Sequence, residues 1–589
     1  MVNVRIRSAR TTRLLNRLQA RVQARRGRAT GFVSSPEPRS IGHFAKGRQL
    51  CAGNILFAGH LVETEGKSLW SIAPPGSAFA EAMHGFTWLD DLAAVGDAKA
   101  RATARTWVWE WIASYGAGQG PGWAADVAGR RVIRWITHAQ FLLRGQDKPA
   151  SDAFFRSLSG QTRFLARRWR AARPGLPRFE ALTGLIYAGL SIEGHDDVAD
   201  PAVQALARHC DEQIDADGGL ATRSPEHLME VLTLLNWCVE ALTASDRPVP
   251  AEFGTAIARI APTLRALRHA DGGLARFHGG GRGLDGRLDQ ALAASGTRTR
   301  PDLGALHMGF ARLAAGRTTV IADAAAPPAG PSSADGHAST LAFEVTSGRR
   351  PIVVNCGSGA IFGDAWRRAG RATPSHSTLG LDGYSSARLG APARHDGMLE
   401  EWLEEVPADV IAETSRLSDG MRVELAHDGY RMSHGLTHAR TLELTIDGRG
   451  LVGEDVLATL SDGDESRFDR QLHGGTPGGV PFSVRFHLHP DVDAALDLSG
   501  AAVSLALKSG EIWILRHDGS AEMTLEPSVY LEKGRLRPRA AKQVVLSGRA
   551  MAYATRVRWS LAKARETPNV MRDLAETDPF ADLEAEESP

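Results

Sequence analysis

The spacing of the hydrophobic residues changes once along the 589 residues, near residue 300. Before that point, residues 97–115, 130–143 and 152–169 carry apolar side chains three to four positions apart, which places them on one face of an α-helix. After it the chain breaks into short β-branched or alternating runs cut by turn residues. Examples are Thr318-Thr-Val-Ile-Ala-Asp323, Leu341-Ala-Phe-Glu-Val345, Pro351-Ile-Val-Val-Asn355 and Ala501-Ala-Val-Ser-Leu-Ala-Leu507. Helices first and strands afterwards exclude alternating β-α-β units, so helices must pack on helices and strands on strands. Without crossover helices between them, the strands predict antiparallel sheets stacked as a sandwich.

Gly116-Ala-Gly-Gln-Gly-Pro121, Arg173-Pro-Gly175 and Arg247-Pro-Val-Pro250 punctuate the helical half as loops. Asp215-Ala-Asp-Gly-Gly-Leu220 and His269-Ala-Asp-Gly-Gly-Leu274 echo one another and point to a repeated helix-hairpin unit. The expected organisation is a basic segment at residues 1–40, a helical domain at 41–302, a sheet domain at 303–565 and an acidic, disordered tail at 566–589. Residues 324–336, rich in Ala, Pro and Ser, read as a loop within the sheet domain.

With 69 basic against 68 acidic side chains, no global field recruits nucleic acid. Cys51, Cys210, Cys238 and Cys356 are too scattered for a disulfide framework or a Cys-rich zinc site. No apolar run reaches the roughly 18 residues of a transmembrane helix. Residues 1–28 hold nine arginines and no acid, with Leu14, Leu15, Leu18 and Val22 at helical spacing. Such a helix can lie on anionic lipid or pack Leu15 and Leu18 on the domain. It lacks the pattern of a secretory signal, so a cytoplasmic or inner-membrane peripheral location is expected.

Three stretches carry candidate chemistry. In Arg223-Ser-Pro-Glu-His-Leu-Met-Glu230, Ser224 is placed to cap a helix with Pro225 in its first turn. His227 and Glu230 then share a face, where the carboxylate can orient the imidazole and Arg223 can meet a sugar carboxylate. In the sheet half, His337 and His376 flank a strand pair with Asn355 between them in sequence, and Arg367, Arg368 and Arg371 form a cationic patch. A third stretch, from His427 to Arg440, adds His434, His438 and Tyr430, with Asp428-Gly429 read as a hairpin turn. Neither Gly279-Gly-Gly-Arg-Gly-Leu-Asp-Gly286 nor Gly357-Ser-Gly-Ala-Ile-Phe-Gly363 has the context of a phosphate cradle.

In order along the chain, His84-Gly-Phe-Thr-Trp-Leu89, Arg131-Val-Ile-Arg-Trp135, Arg223-Ser-Pro-Glu226, Arg268-His-Ala-Asp-Gly-Gly273, His337-Ala-Ser-Thr-Leu341-Ala-Phe-Glu344, Val354-Asn-Cys-Gly357, His376-Ser-Thr-Leu379 and His427-Asp-Gly-Tyr430 resemble the heparinase II/III family. The resemblance implies an α+β multidomain chain, an N-terminal (α/α) toroid followed by an antiparallel β-sandwich. It implies a lyase acting on a uronic-acid polysaccharide by β-elimination, in which the C6 carboxylate is neutralised, a base removes the C5 proton and the C4 oxygen leaves with a proton. By position it makes His227 and His337 catalytic candidates; residue type and place add Glu230, Tyr430 and His278, with Arg223, Arg367, Arg371 and Trp135 as substrate-binding candidates. It also implies a structural divalent metal, zinc, on His337, Asn355 and His376, and by family habit a periplasmic location. No tyrosine lies between His227 and the sheet half, where Phe277 and His278 occupy the nearest stretch. Two alternatives stay open: a non-catalytic protein that binds acidic glycans on a lyase scaffold, and a hydrolase. Glu226 and Glu230 on one helix face suit a hydrolase poorly, because a glycosidase sets its carboxyls roughly 5–10 Å apart across the bond.

Overall fold

The structure, a computed structural model, describes residues 9–564 apart from 35, 65, 396–397, 475–477 and 498. The acidic segment expected at 566–589 lies outside the described residues. Thirteen α-helices between Ala9 and Ala294 form the first half, among the described residues. Their packing is close enough to need glycine. Helices Ala125–Thr137 and Leu176–Ser191 cross backbone to backbone, and a Cβ on Gly184 would stand 2.7 Å from the Cα of Gly129. Aromatic rings fill the space between helices. Phe86, Trp88, Trp111, Trp135 and Phe154 are all buried, with Trp135 stacked on Phe154 at 5.2 Å. Within this cluster the Arg131 guanidinium lies over the Trp111 ring and donates to Gln161 and to the carbonyls of His84 and Gly122.

Both echoed motifs form the same small hairpin: Ile214 bridges Leu220 and Arg268 bridges Leu274, each antiparallel, around Gly218 and Gly272 at positive φ. The helix Ala9–Ala24 lies on helix Lys148–Arg168, tied by Arg168 Nε to Asn16 Oδ1 at 2.6 Å. It buries Asn16, Ala20 and Gln23, leaves Leu15 half-buried, and turns Leu14 and Leu18 outward among Arg10, Arg13, Arg17 and Arg21.

Two antiparallel sheets make the second half. One centres on strands Gly420–Tyr430, Leu436–Thr445, Gly450–Ala458 and Ala554–Lys563; the other runs from Glu522–Tyr530 through Arg539–Ala550, Val480–Leu488, Arg350–Val354, Phe343–Ser347 and Thr318–Asp323 to Phe310–Ala315. Their inward faces meet where Phe343 stacks on Trp559 at 5.6 Å. Asp428-Gly429 is no hairpin turn: it sits within strand Gly420–Tyr430 at a register shift between His427 and Tyr430, where the Asp428 carboxylate accepts from the amides of Ala408 and Asp409.

Ion pairs join the halves along a seam. Arg223 reaches Asp323, Lys533 reaches Glu226, and His269 and Arg276 reach Glu344.

Candidate functional site

The seam places residues from three loops around the start of helix Pro225–Ala244. Residue 224 caps this helix without a side-chain cap bond, and the Ser224 hydroxyl has no partner among the described residues. One turn in, the Glu226 carboxylate accepts from the Gly281 amide at 2.9 Å and pairs with Lys533 Nζ at 2.5 Å. Burial opposes its ionisation, but the Lys533 ammonium and the Gly281 amide outweigh that and hold Glu226 down to about 2. The segment 279–281 allows this approach: a Cβ on Gly279 would come 2.7 Å from the Asp335 Cβ, and Gly280 and Gly281 pass beside Glu226. The glycine run is therefore a seam loop.

His227 is half-buried beside this pair and makes no hydrogen bond among the described residues. Burial and then the Lys533 charge push its pKa down, while Asp335 and Glu226 oppose them. Glu230 does not orient it. That carboxylate pairs with Arg287 at 2.5 Å and lines a separate cleft of about 310 Å3 with Arg130, Arg134 and Glu180. The i,i+3 spacing is as expected, but a stronger cation captures the acid.

Across the seam, three histidines form one knot. His376 Nδ1 donates to the Ala372 carbonyl at 2.9 Å, so its Nε2 accepts from His337 Nδ1 at 3.0 Å. This fixes both tautomers and leaves His337 Nε2 with a lone pair that has no partner among the described residues. His278 Nδ1 accepts from the His337 amide at 3.2 Å, and its Nε2 faces Asp323 at 3.4 Å. Burial lowers all three, His376 to about 3 and His337 well below its ordinary value. His278 is completely buried, so it is a structural tie and not an exposed proton carrier.

Several sequence expectations are corrected here. Arg223 is no substrate residue: its guanidinium donates to the carbonyls of Met308, Gly309, Ala325 and Ala326, pairs with Asp323 and lies over Phe310. Arg371 is buried and spends its donors on the carbonyls of Gly336, Glu401 and Ser333. Trp135 is in the helical core, as described. Tyr430 is buried in the sandwich, donating to the Leu379 carbonyl at 3.2 Å, and burial pushes its phenol up. Arg367 stays near the seam, bonded to the Ala334 carbonyl and 3.3 Å from Asp335. His427 and His438 contact one another, and His438 and Arg440 close on Asp455, a buried network distant in chemistry from the seam.

The metal set does not fit. Asn355 Oδ1 accepts from the Ser377 amide and its Nδ2 donates to Glu344, while His337 and His376 share a proton instead of pointing lone pairs at a common centre. Among the described residues no group of three or more His, Cys, Asp or Glu side chains is arranged to hold a metal ion.

Residues that sequence reasoning missed are Lys533, Arg276 and Tyr530. Arg276 donates to the Asn355 carbonyl, lies 3.7 Å from Glu344 and covers the Tyr530 ring at 4.1 Å. Burial pushes the Tyr530 phenol up to about 12. No motif marks these residues, since their partners lie far away in the chain.

A family model described as heparinase II/III-like, C-terminal, matches residues 297–560. FtsZ-localized protein C of Caulobacter vibrioides is 32% identical over 544 residues, covering 91% of this chain and 91% of that protein. Among solved structures, heparinase III shares the fold with a TM-score of 0.67 at 12% identity, over 95% of this chain and 92% of that one. A mutant of the heparan sulfate lyase HepC from Pedobacter heparinus gives 0.56 at 13% identity, over 95% and 89%.

Proposed function

Starting from the premise that the chain belongs to the heparinase II/III family and has the scaffold of a polysaccharide lyase, we propose that it holds an acidic glycan along the seam without cleaving it. One observation carries this reading: the proton carriers near the seam are detuned. Elimination needs a base and an acid whose pKa values lie near the operating pH. Here burial pushes the imidazoles of His227, His337 and His376 down and the phenol of Tyr530 up to about 12, and no tyrosine lies in the helical half beyond His227. What stays suited to an anionic sugar is the half-buried ring of His227 beside Lys533.

The relative named for its localisation with FtsZ supports a place for this chain in the company of FtsZ. The outward Leu14 and Leu18, set among arginines on helix Ala9–Ala24, support peripheral contact with an anionic membrane there. No helix among the described residues is long and apolar enough to cross a membrane.

The test mixes purified protein with a panel of uronic-acid glycans and reads both binding and ultraviolet absorbance of an unsaturated uronate. Binding without absorbance is the expected result. Rising absorbance would overturn it in favour of the second reading, β-elimination. One observation favours that second reading: His337 Nε2 keeps a lone pair with no partner among the described residues, and Lys533 influences both His337 and His227. A labelled chain that fails to coincide with FtsZ in cells would remove the division-site part alone.

A further inference from the structure

A cleft of about 760 Å3 opens on the seam among residues that do not include His227, His337 or Lys533. It lies between the end of helix Ala251–Ala266, helix Arg287–Ala294, the turn at 295–298 and strand Phe310–Ala315. Four guanidiniums line it, those of Arg265, Arg268, Arg298 and Arg312, against one carboxylate, Asp289. That carboxylate is committed to Arg268 at 2.8 Å, and His269, also on the wall, is committed to Glu344.

The other three arginines have no acid partner among the described residues. Arg312 Nη1 donates to the carbonyls of Ala266 and Arg268, both at 2.7 Å, and Arg265 donates to those of Thr297 and Thr299. Arg298 is exposed and makes no hydrogen bond or ion pair among the described residues. Carbonyls satisfy N–H geometry but cancel no charge, so the cleft keeps a positive excess, with Arg265 and Arg312 already held in place by the backbone. Arg312 shows the cost: burial alone pushes it down to about 10, still protonated at neutral pH.

We propose that this cleft binds a small, multiply charged oxyanion of the phosphate or pyrophosphate class. Guanidinium forks match tetrahedral oxyanions in pairs of parallel hydrogen bonds. A monocarboxylate would balance only one of three uncompensated charges. The remaining wall is Ala270, Leu292, Ala293, Gly296 and Thr297, with no aromatic ring on which a nucleobase could stack. Arg265 and Arg268 belong to the helical half and Arg312 to the first strand of the sheet half, so the anion braces the two. The inference does not rest on the glycan reading.

Isothermal titration of the full chain with sodium pyrophosphate at low salt tests it. The expected result is one site per chain, weakened about tenfold by Arg298→Ala, whose side chain supports nothing else, and more by Arg312→Gln. Arg163→Ala, in a different basic cleft beside Asp197, is expected to leave binding unchanged. Absence of binding at millimolar pyrophosphate overturns the proposal, as does binding untouched by Arg298→Ala or abolished by Arg163→Ala. If Arg312→Gln fails to fold, Arg298→Ala decides alone.

Discussion

Arg223 Nη2 lies 2.6 Å from Asp323 Oδ1, joining the residue before a helix cap to the last residue of a strand 100 positions later. The pair is buried, and Asp323 also accepts from the Ser339 hydroxyl at 2.6 Å. Arg223 itself sits at φ +50°, a backbone conformation that non-glycine residues adopt only when the surroundings demand it. Its five polar contacts to the sheet half supply that demand.

Removing one partner of a buried pair leaves an uncompensated charge and costs about 3–5 kcal/mol. Arg223→Ala is therefore expected to lower stability by that amount, measured by urea unfolding. In a double-mutant cycle with Asp323→Asn, the second change should add much less on the Arg223→Ala background than on the wild type. Additive losses would show that the two residues do not act as a pair.

The helix crossing at Gly129 and Gly184 gives a second expectation. A Cβ on Gly184 would lie 2.7 Å from both Cα and O of Gly129, all backbone atoms that cannot rotate away. Overpacking of this kind costs about 1–3 kcal/mol. Gly184→Ala should lower the melting temperature, although alanine is the better helix former at an exposed position. A rise on substitution would mean that the helices stand further apart.

His227→Ala separates the functional readings from fold support. The ring has no hydrogen bond among the described residues, so its loss should change stability by less than about 1 kcal/mol. Affinity for a uronate oligosaccharide should fall severalfold, read by titration against the wild type. Unchanged affinity would take His227 out of the groove.

The two-half architecture was legible because hydrophobic period is a local property: three-to-four spacing before residue 300 and alternation after it survive without knowledge of partners. The echoed Asp-Gly-Gly-Leu motifs were legible for the same reason, since their glycines serve a turn formed within six residues. The site was read less well. His227 and the His337–His376 contact came out of residue type and order, but Glu230 was assigned to its nearest helical neighbour while Arg287, 57 residues away, holds it. Arg223, Arg371, Trp135 and Tyr430 read by residue type as site chemistry and are buried. An arginine satisfied by four carbonyls looks in sequence just like one waiting for a ligand. Lys533 and Arg276 carry no motif at all, because a seam between two domains is written in pairs of distant residues.

The buried histidines predict an acid limit to stability. Burial holds His84 and His376 down to about 3 and His195 and His487 to about 4. Unfolding returns each to its ordinary value of 6.5. Below 6.5 the unfolded chain therefore binds protons that the folded chain refuses, so stability present above that pH is lost as pH falls toward 4 and then 3. At pH 5.5 each group costs about 1.4 kcal/mol relative to pH 7.5. Glu226, held to about 2, stays ionised across this window, whereas burial raises Asp91 to about 6 and Glu180 to about 7, so their protonation in the folded chain offsets part of the loss. Urea unfolding at pH 7.5 and 5.5 should show this loss, and His195→Asn should remove about 1.4 kcal/mol of it by deleting a single titrating ring. A midpoint independent of pH over that interval would mean that these imidazoles are solvated in the folded protein.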